Sequence, residues 1–179
     1  YNHVNWSAKF HNLSKEKTTE SIKKIVNEYE SIFSKKPISN AAPNFNVNRH
    51  YFQILLDNNF KFAADFKHSN AFNLQLEENS SQIIQLPVTE PTIEELIYLG
   101  KSQDQIRSEL KRRFKDHVEK ESNYVCFYIH AIYEPVRLEK TLEKILSYIY
   151  KQDMKAITHS TYHRECSNLP TIAMETLLN

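Results

Sequence analysis

Short apolar runs alternate with amphipathic segments along this chain of 179 residues, and this alternation constrains the fold more than any other feature. The runs "FKFAADF" (60–66), "IIQLPV" (83–88) and "YVCFYIH" (124–130) have the length and composition of buried strands. Apolar residues at helical spacing predict helices at 18–34, 47–57, 102–121 and 136–151. Strands that alternate with helices indicate parallel βαβ units, so the sequence predicts an α/β fold.

The composition limits the class of protein. Apolar residues make up 40% of the chain and charged residues 25%, which is typical of a globular protein, and the length predicts a single domain over residues 1–179. The formal net charge of +1 gives no broad electrostatic field, so nucleic acid is not an expected partner. Gly100 is the only glycine, which excludes the glycine-rich phosphate loops of nucleotide-binding proteins.

Polar side chains follow the predicted strands. Asn44 lies just after one candidate strand end, Asp65 ends the run at 60–66, and His130 ends the longest apolar run. In α/β folds, chemistry gathers at the carboxyl ends of parallel strands. His130 is therefore either a core histidine bonded to the backbone or a general acid or base. Asp65 is available to orient its ring, whereas Glu134 could instead cap the next helix. Residues 67–82 are polar and are predicted to form an exposed loop.

The segment "HSTYHREC" offers a different site. His159, His163 and Cys166 follow one another at spacings i, i+4 and i+7, which could place three zinc ligands on one helical face. Thr161 and Tyr162 instead favour extended structure, and no fourth ligand is evident. Both interpretations, a metal site and ordinary loop residues, stay open.

Five segments resemble a known family in their order and spacing. They are "HVNW", "AAPNF", "FAADFKHSNAF", "QLPVTEPTIEE" and "YIHAIYE". Together they are similar to the polysaccharide deacetylase (NodB-homology) superfamily, and in particular to its branch of undecaprenyl-phosphate 4-deoxy-4-formamido-L-arabinose deformylases. The resemblance extends over about residues 1–150, and "QLPVTEPT" and "YIHAIYE" are its specific parts. Ala41 stands where most of the superfamily has an arginine, a departure that the deformylase branch shares.

The resemblance implies a distorted (β/α) barrel and a divalent metal, expected to be zinc, bound by one aspartate and two histidines. His3 matches the second histidine of the family's H-x-x-x-H pair. The first histidine, and the Thr-Phe-Asp-Asp motif with the remaining ligand and the base, would precede Tyr1. The chain therefore resembles the C-terminal two-thirds of such an enzyme, without its N-terminal strands. A start without Met likewise indicates a truncated chain.

The resemblance also assigns roles to individual residues. His130 matches the general acid, and Asp65 matches the carboxylate that orients it. Backbone N–H groups near Asn44 and Phe45 match the oxyanion donor. Glu134 matches an acidic residue that is expected to contact the sugar.

The implied function is metal-dependent hydrolysis of an amide. The substrate would be a formyl or acetyl group on an amino sugar carried by undecaprenyl phosphate, in envelope and lipid A modification. Lys67 replaces an arginine of the branch and is expected to meet the lipid phosphate. The expected location is cytoplasmic, peripheral to the inner membrane. Two alternatives remain: an exported polysaccharide or peptidoglycan N-deacetylase, and a non-catalytic carbohydrate-binding pseudo-enzyme.

Overall fold

A computed structural model describes residues 3–76 and 81–178, apart from the side chains of His3, Val4 and Ser81. The helices of this part are α1 His3–Lys9, α2 Lys15–Phe33, α3 Tyr51–Asp57, α4 Ile93–Tyr98, α5 Gln103–Glu119, α6 Glu134–Arg137, α7 Glu139–Tyr150, α8 His159–Glu165 and α9 Met174–Leu177. Its strands are β1 Ser39–Asn40, β2 Phe62–Ala63, β3 Phe72–Leu76, β4 Ser81–Gln85 and β5 Thr171–Ala173. No described helix combines the length and apolarity that a membrane crossing requires.

The chain divides into two compact units. The first, which we call the sheet unit, comprises residues 1–67, 71–87 and 159–179, and the second, the helical unit, comprises residues 68–70 and 88–158. Each has its own hydrophobic core. That these units form a single domain over residues 1–179 stays a prediction.

The sheet unit contains a five-stranded mixed sheet in the order β1-β2-β4-β3-β5. Strands β1, β2 and β4 are parallel neighbours, β3 pairs antiparallel with β4, and β5 pairs parallel with β3. The predicted α/β class is confirmed. The strand order is open, and closure into a barrel stays a prediction.

Strand β3 corrects the sequence analysis, which placed residues 67–82 in an exposed loop. Phe72, Leu74 and Leu76 are buried, whereas Asn73 and Gln75 between them are half-buried. This two-residue period is that of a strand with one face on the core. The polar residues on the other face made the segment look like a loop.

Aromatic rings form the core beside the sheet. Trp6 of α1 stacks on Phe10 with ring centroids 3.7 Å apart, and Tyr51 of α3 meets both rings edge-on. Helix α2 buries Ile22 and Val26 against this cluster, and Ser14 caps its start by accepting a hydrogen bond from the N–H of Lys17. The helix predicted over 18–34 is thereby confirmed, three residues longer at its start.

The helical unit is built on α4, α5 and α7. Its buried residues recur at helical spacing: Ile93, Leu96, Ile106, Leu110, Phe114, Leu142 and Ile145. Capping boxes start α4 at Thr92 and α5 at Ser102. The predicted helix over 102–121 is confirmed as α5, and the helix predicted over 136–151 corresponds to α6 and α7.

The predicted strand that ends at His130 is wrong. Residues 124–130 have no regular secondary structure and join no sheet within the described chain. The carbonyl of Cys126 accepts hydrogen bonds from the N–H groups of Thr89 and Glu90, and the N–H of Cys126 donates to the Thr89 hydroxyl. The Thr89 hydroxyl and the backbone N–H groups of Thr89 and Glu90 therefore supply the hydrogen bonds that a neighbouring strand would give to Cys126.

Candidate functional site

Asp65 occupies the predicted position at the end of β2 and is fully buried. Its Oδ1 accepts hydrogen bonds from the N–H of Ala42 at 2.7 Å and from the Tyr51 hydroxyl at 3.1 Å. Its own N–H donates to Gln85 Oε1 at 3.2 Å. Groups that follow or end the parallel strands β1 and β4 thus converge on Asp65, which follows β2, because such strand ends share one edge of the sheet.

The environment of Asp65 favours its neutral form. Burial raises the pKa of this carboxyl from 3.8 to about 7, although the hydrogen bonds from Ala42 and Tyr51 act in the opposite direction. Oδ2 is buried and has no hydrogen-bond partner within the described residues. Burial and the adjacent carboxylate raise the pKa of Tyr51 well above its usual value. Tyr51 also accepts a short hydrogen bond from the Asn40 amide. Asp65 is therefore a buried acid with one oxygen still to be satisfied.

The turn Pro43–Phe45 directly follows Ala42, whose N–H donates a hydrogen bond to Asp65. Asn44 and Phe45 have φ values of 55° and 54°, in the left-handed region that non-glycine residues rarely adopt. The N–H of Phe45 donates to the Ala42 carbonyl, whereas the N–H of Asn44 has no acceptor among residues 3–76 and 81–178. Of the two predicted oxyanion donors, Asn44 is the one whose N–H remains available. That role stays a prediction.

Two further predicted residues lie in the sheet unit. Lys67 is exposed, and its ammonium lies 5.5 Å from the centroid of the Phe45 ring, a cation–π contact. The backbone of His3 begins α1. The side chain of His3, to which a metal-binding role was assigned, lies outside the described part of the chain.

His130 lies in the helical unit, between two carboxylates. Its Nδ1 is 3.3 Å from Glu134 Oε1 and 3.3 Å from Glu94 Oε2. Its backbone N–H donates to Glu134 Oε2 at 2.7 Å. The Tyr128 ring meets the imidazole edge-on, with centroids 5.4 Å apart. Glu134 is fully buried, whereas the His130 side chain is 40% exposed. This arrangement can hold an accessible imidazole in one orientation.

Glu94 is the functional candidate that the sequence analysis missed. It lies 36 residues before His130, a separation over which no periodic pattern connects two positions. The available signal was its place inside "QLPVTEPTIEE", one of the segments that carry the family resemblance. The prediction that Asp65 orients His130 stays a prediction, as does the prediction that Glu134 contacts sugar.

The metal hypothesis for "HSTYHREC" is wrong. His159 and His163 do share a helix, α8, but their rings pack on Phe62, with centroids 6.5 Å and 5.0 Å away. Burial lowers the pKa of both histidines. Across the described chain, no group of three His, Cys, Asp or Glu side chains could hold a metal ion. The described residues therefore do not by themselves fit the expected zinc.

Comparison with known proteins finds similar proteins, although no family model matches the chain. The chain is 26% identical over 148 residues to a provisionally assigned 4-deoxy-4-formamido-L-arabinose-phosphoundecaprenol deformylase of Wigglesworthia glossinidia brevipalpis, covering 82% of this chain and 50% of the relative. It thus spans about half the length of that curated relative. The fold is similar to the crystal structure of a provisionally assigned polysaccharide deacetylase from Mycobacterium smegmatis. The TM-score is 0.68 at 13% identity, over 89% of this chain and 59% of the other. The predicted resemblance and the predicted α/β fold class are confirmed.

Proposed function

We propose, from the premise that this chain is a relative of the NodB-homology polysaccharide deacetylases and of their deformylase branch, that it is part of an amide hydrolase. Its substrate would be an amino sugar that carries a formyl or acetyl group and is linked to undecaprenyl phosphate. The observation that carries this proposal is the similarity to the deformylase over 148 residues. That stretch is most of the chain, so it exceeds what one shared motif would give.

The described residues supply two elements of amide hydrolysis. His130 would donate a proton to the amine as the C–N bond breaks, a task that suits an accessible imidazole flanked by carboxylates. The N–H of Asn44 would stabilise the oxyanion, and the hydrogen bond between Asp65 and Ala42 would fix the turn that presents it. Preorganised donors of this kind need no rearrangement when charge develops on the substrate oxygen.

The divalent metal rests on the family resemblance alone. A bound zinc would supply a water molecule acidified by the ion. His3 is the one proposed ligand in this chain, and the other ligands would come from outside the described residues.

Exposed apolar side chains next to His130 support a lipid-linked substrate. Ile132 and Val136 are 87% and 70% exposed, and Ile129 is 37% exposed. Three exposed aliphatic residues close in sequence to one predicted catalytic residue offer apolar surface of the kind that a lipid contact would use. They would contact the isoprenoid chain or the bilayer on its cytoplasmic side. Lys67 would meet the lipid phosphate.

An acyl-release assay tests the proposal. The full-length protein is incubated with undecaprenyl-phosphate-linked amino sugars that bear either a formyl or an acetyl group, and free formate or acetate is measured. We expect release from at least one substrate, loss of activity after chelation and recovery with zinc. A folded, zinc-loaded protein that releases neither acid would contradict the proposal.

A non-catalytic carbohydrate-binding role is the second candidate. One observation favours it: no three-ligand group lies within the described part of the chain. Metal analysis of the full-length protein separates the two functions. About one equivalent of bound metal supports the hydrolase, whereas sugar binding by a protein without metal supports the binding role.

A further inference from the structure

The two most specific family segments meet at one ring nitrogen. Glu94 comes from "QLPVTEPTIEE" and His130 from "YIHAIYE", and Glu94 Oε2 lies 3.3 Å from His130 Nδ1. Glu134, also from the second segment, places Oε1 at the same distance from the same nitrogen. All three residues belong to the helical unit. Two acceptors therefore face Nδ1, while Nε2 has no hydrogen-bond partner among the described residues.

Both carboxylate oxygens of Glu134 contact His130. Its side chain is fully buried, Oε2 accepts the backbone N–H of His130 at 2.7 Å, and Oε1 faces the ring. A buried carboxylate without partners is costly, and here a single residue supplies them. Binding to both the backbone and the ring fixes the rotation of the imidazole relative to its own main chain.

Glu94 is held in place from its own helix. Thr92 caps α4, its hydroxyl accepts the N–H of Glu95, and the Glu95 carboxylate accepts the N–H of Thr92. This capping box fixes the first turn of α4, on which Glu94 lies. The Glu94 side chain is 29% exposed, so it combines a fixed backbone with access to the ring.

The other polar neighbour of the ring is Tyr128. Burial, followed by the carboxylates of Glu95, Glu94 and Glu134, raises the pKa of Tyr128, so it stays a neutral phenol. Among the described groups, the acceptors that face Nδ1 are carboxylates, which accept hydrogen bonds and cannot donate when ionised. A neutral imidazole that donates a hydrogen bond to these carboxylates would carry its proton on Nδ1.

We propose that Glu94 and Glu134 are positioning residues that keep the His130 proton on Nδ1 and so assign Nε2 to the leaving amine. This inference rests on the proposed function. When the C–N bond breaks, its electron pair stays on the nitrogen, which takes a proton from Nε2 of the protonated ring. One water is consumed: its oxygen stays on the acyl carbon, and its proton replaces the one that Nε2 gave. Nδ1–H remains bonded to the carboxylates throughout.

Nitrogen NMR of the full-length protein with labelled histidine tests the inference without substrate. At a pH where the ring is neutral, the wild type is expected to show His130 as the Nδ1–H tautomer. Glu94→Gln and the double variant with Glu134→Gln should move it towards Nε2–H, because an amide can donate to Nδ1. Glu143→Gln, on the exposed face of α7, is the control. An unchanged Nδ1–H tautomer in a folded Glu94→Gln protein would overturn the inference, even if the double variant fails to fold.

Kinetics add a second readout. In Glu94→Gln we expect kcat to fall about 10- to 100-fold, the effect of losing a hydrogen bond to a charged group, with KM unchanged. Glu94→Asp should recover part of that loss. If the tautomer shifts as expected but the wild type releases no acyl group from any substrate, the positioning stands and the proposed function fails. If KM rises while kcat is unchanged, Glu94 binds substrate and the positioning role is wrong.

Discussion

Two carboxyl groups are fully buried but make different contacts: Asp65 in the sheet unit and Glu134 in the helical unit. Asp65 holds groups from separate elements: the Ala42 N–H and the Tyr51 hydroxyl on one oxygen, with the other oxygen unpartnered within the described chain. Glu134 uses both oxygens on one residue, His130. Burial alone therefore does not define the role of a carboxyl group. The two groups differ in the number and origin of their partners: Asp65 binds groups from two other elements, whereas Glu134 binds the backbone and ring of one residue.

The largest effect is expected when the ring that Glu134 holds is removed. His130→Ala in the full-length protein should lower turnover by about 10²- to 10⁴-fold, as for loss of a general acid, with the unfolding transition nearly unchanged. Acyl release and thermal unfolding are the measurements. His50→Ala, at the start of α3, is the matched control. Turnover equal to that of the wild type would remove His130 from the mechanism.

The buried acid of the sheet unit should make stability depend on pH. Its folded pKa of about 7 lies above its usual 3.8, so the folded state binds this proton more tightly than the unfolded state does. Its contribution to stability is therefore complete below about pH 4, declines as pH rises to about 7, and is then constant. The whole difference corresponds to about 4 kcal/mol, of which about 3 kcal/mol falls between pH 5 and pH 8.

Asp65→Asn removes this titration and keeps an acceptor for the Ala42 N–H. In urea unfolding, the wild type should lose stability relative to the variant between pH 5 and pH 8. The exposed Asp153→Asn variant should follow the wild type. Parallel pH profiles for wild type and Asp65→Asn would show that Asp65 does not titrate in this range.

The positions and contacts of Asp65 and His130 could be predicted from the sequence to different extents, and the reasons are physical. Asp65 could be predicted because the ends of parallel strands share one edge of a sheet. His130 was chosen as a candidate because its apolar segment was expected to form a strand. That segment instead packs on helices, as Phe127 does on Phe114, and forms no strand within the described chain. Glu134 lies four residues from His130, so local spacing could suggest their contact. Glu94 and Tyr51 join their sites only through tertiary packing, which no local pattern encodes.

A smaller effect is expected when the tyrosine hydroxyl that donates a hydrogen bond to Asp65 is removed. Tyr51→Phe keeps the aromatic packing on Trp6 and Phe10 but removes the hydroxyl that donates to Asp65 Oδ1. We expect the free energy of unfolding to fall by about 1 to 3 kcal/mol, the range for hydrogen bonds to charged groups. The loss should be larger above pH 7, where Asp65 is mostly ionised, than at pH 5. Denaturant unfolding at both values measures it.

Tyr29→Phe, on α2, is the control for loss of a tyrosine hydroxyl elsewhere in the same unit. It should change stability little at either pH. An equal loss at both values for Tyr51→Phe would indicate that the hydroxyl matters through its bond with Asn40 and that its link to the Asp65 charge is unimportant.

The smallest expected effect is a loss of lipid binding when exposed side chains close to Glu134 in the sequence are replaced. Beside Glu134, Ile132 and Val136 are largely exposed, so they can contact a lipid without any rearrangement of the core. Replacing both with Ser should weaken binding to anionic lipid vesicles about tenfold, since each would give up part of an aliphatic side chain's transfer free energy. Vesicle sedimentation of the full-length protein measures the affinity. Ile32→Ser, at an equally exposed aliphatic site in the sheet unit, is the control. Equal losses for both variants would mean that vesicle binding depends on general surface apolarity, and the lipid contact would then no longer be tied to Ile132 and Val136.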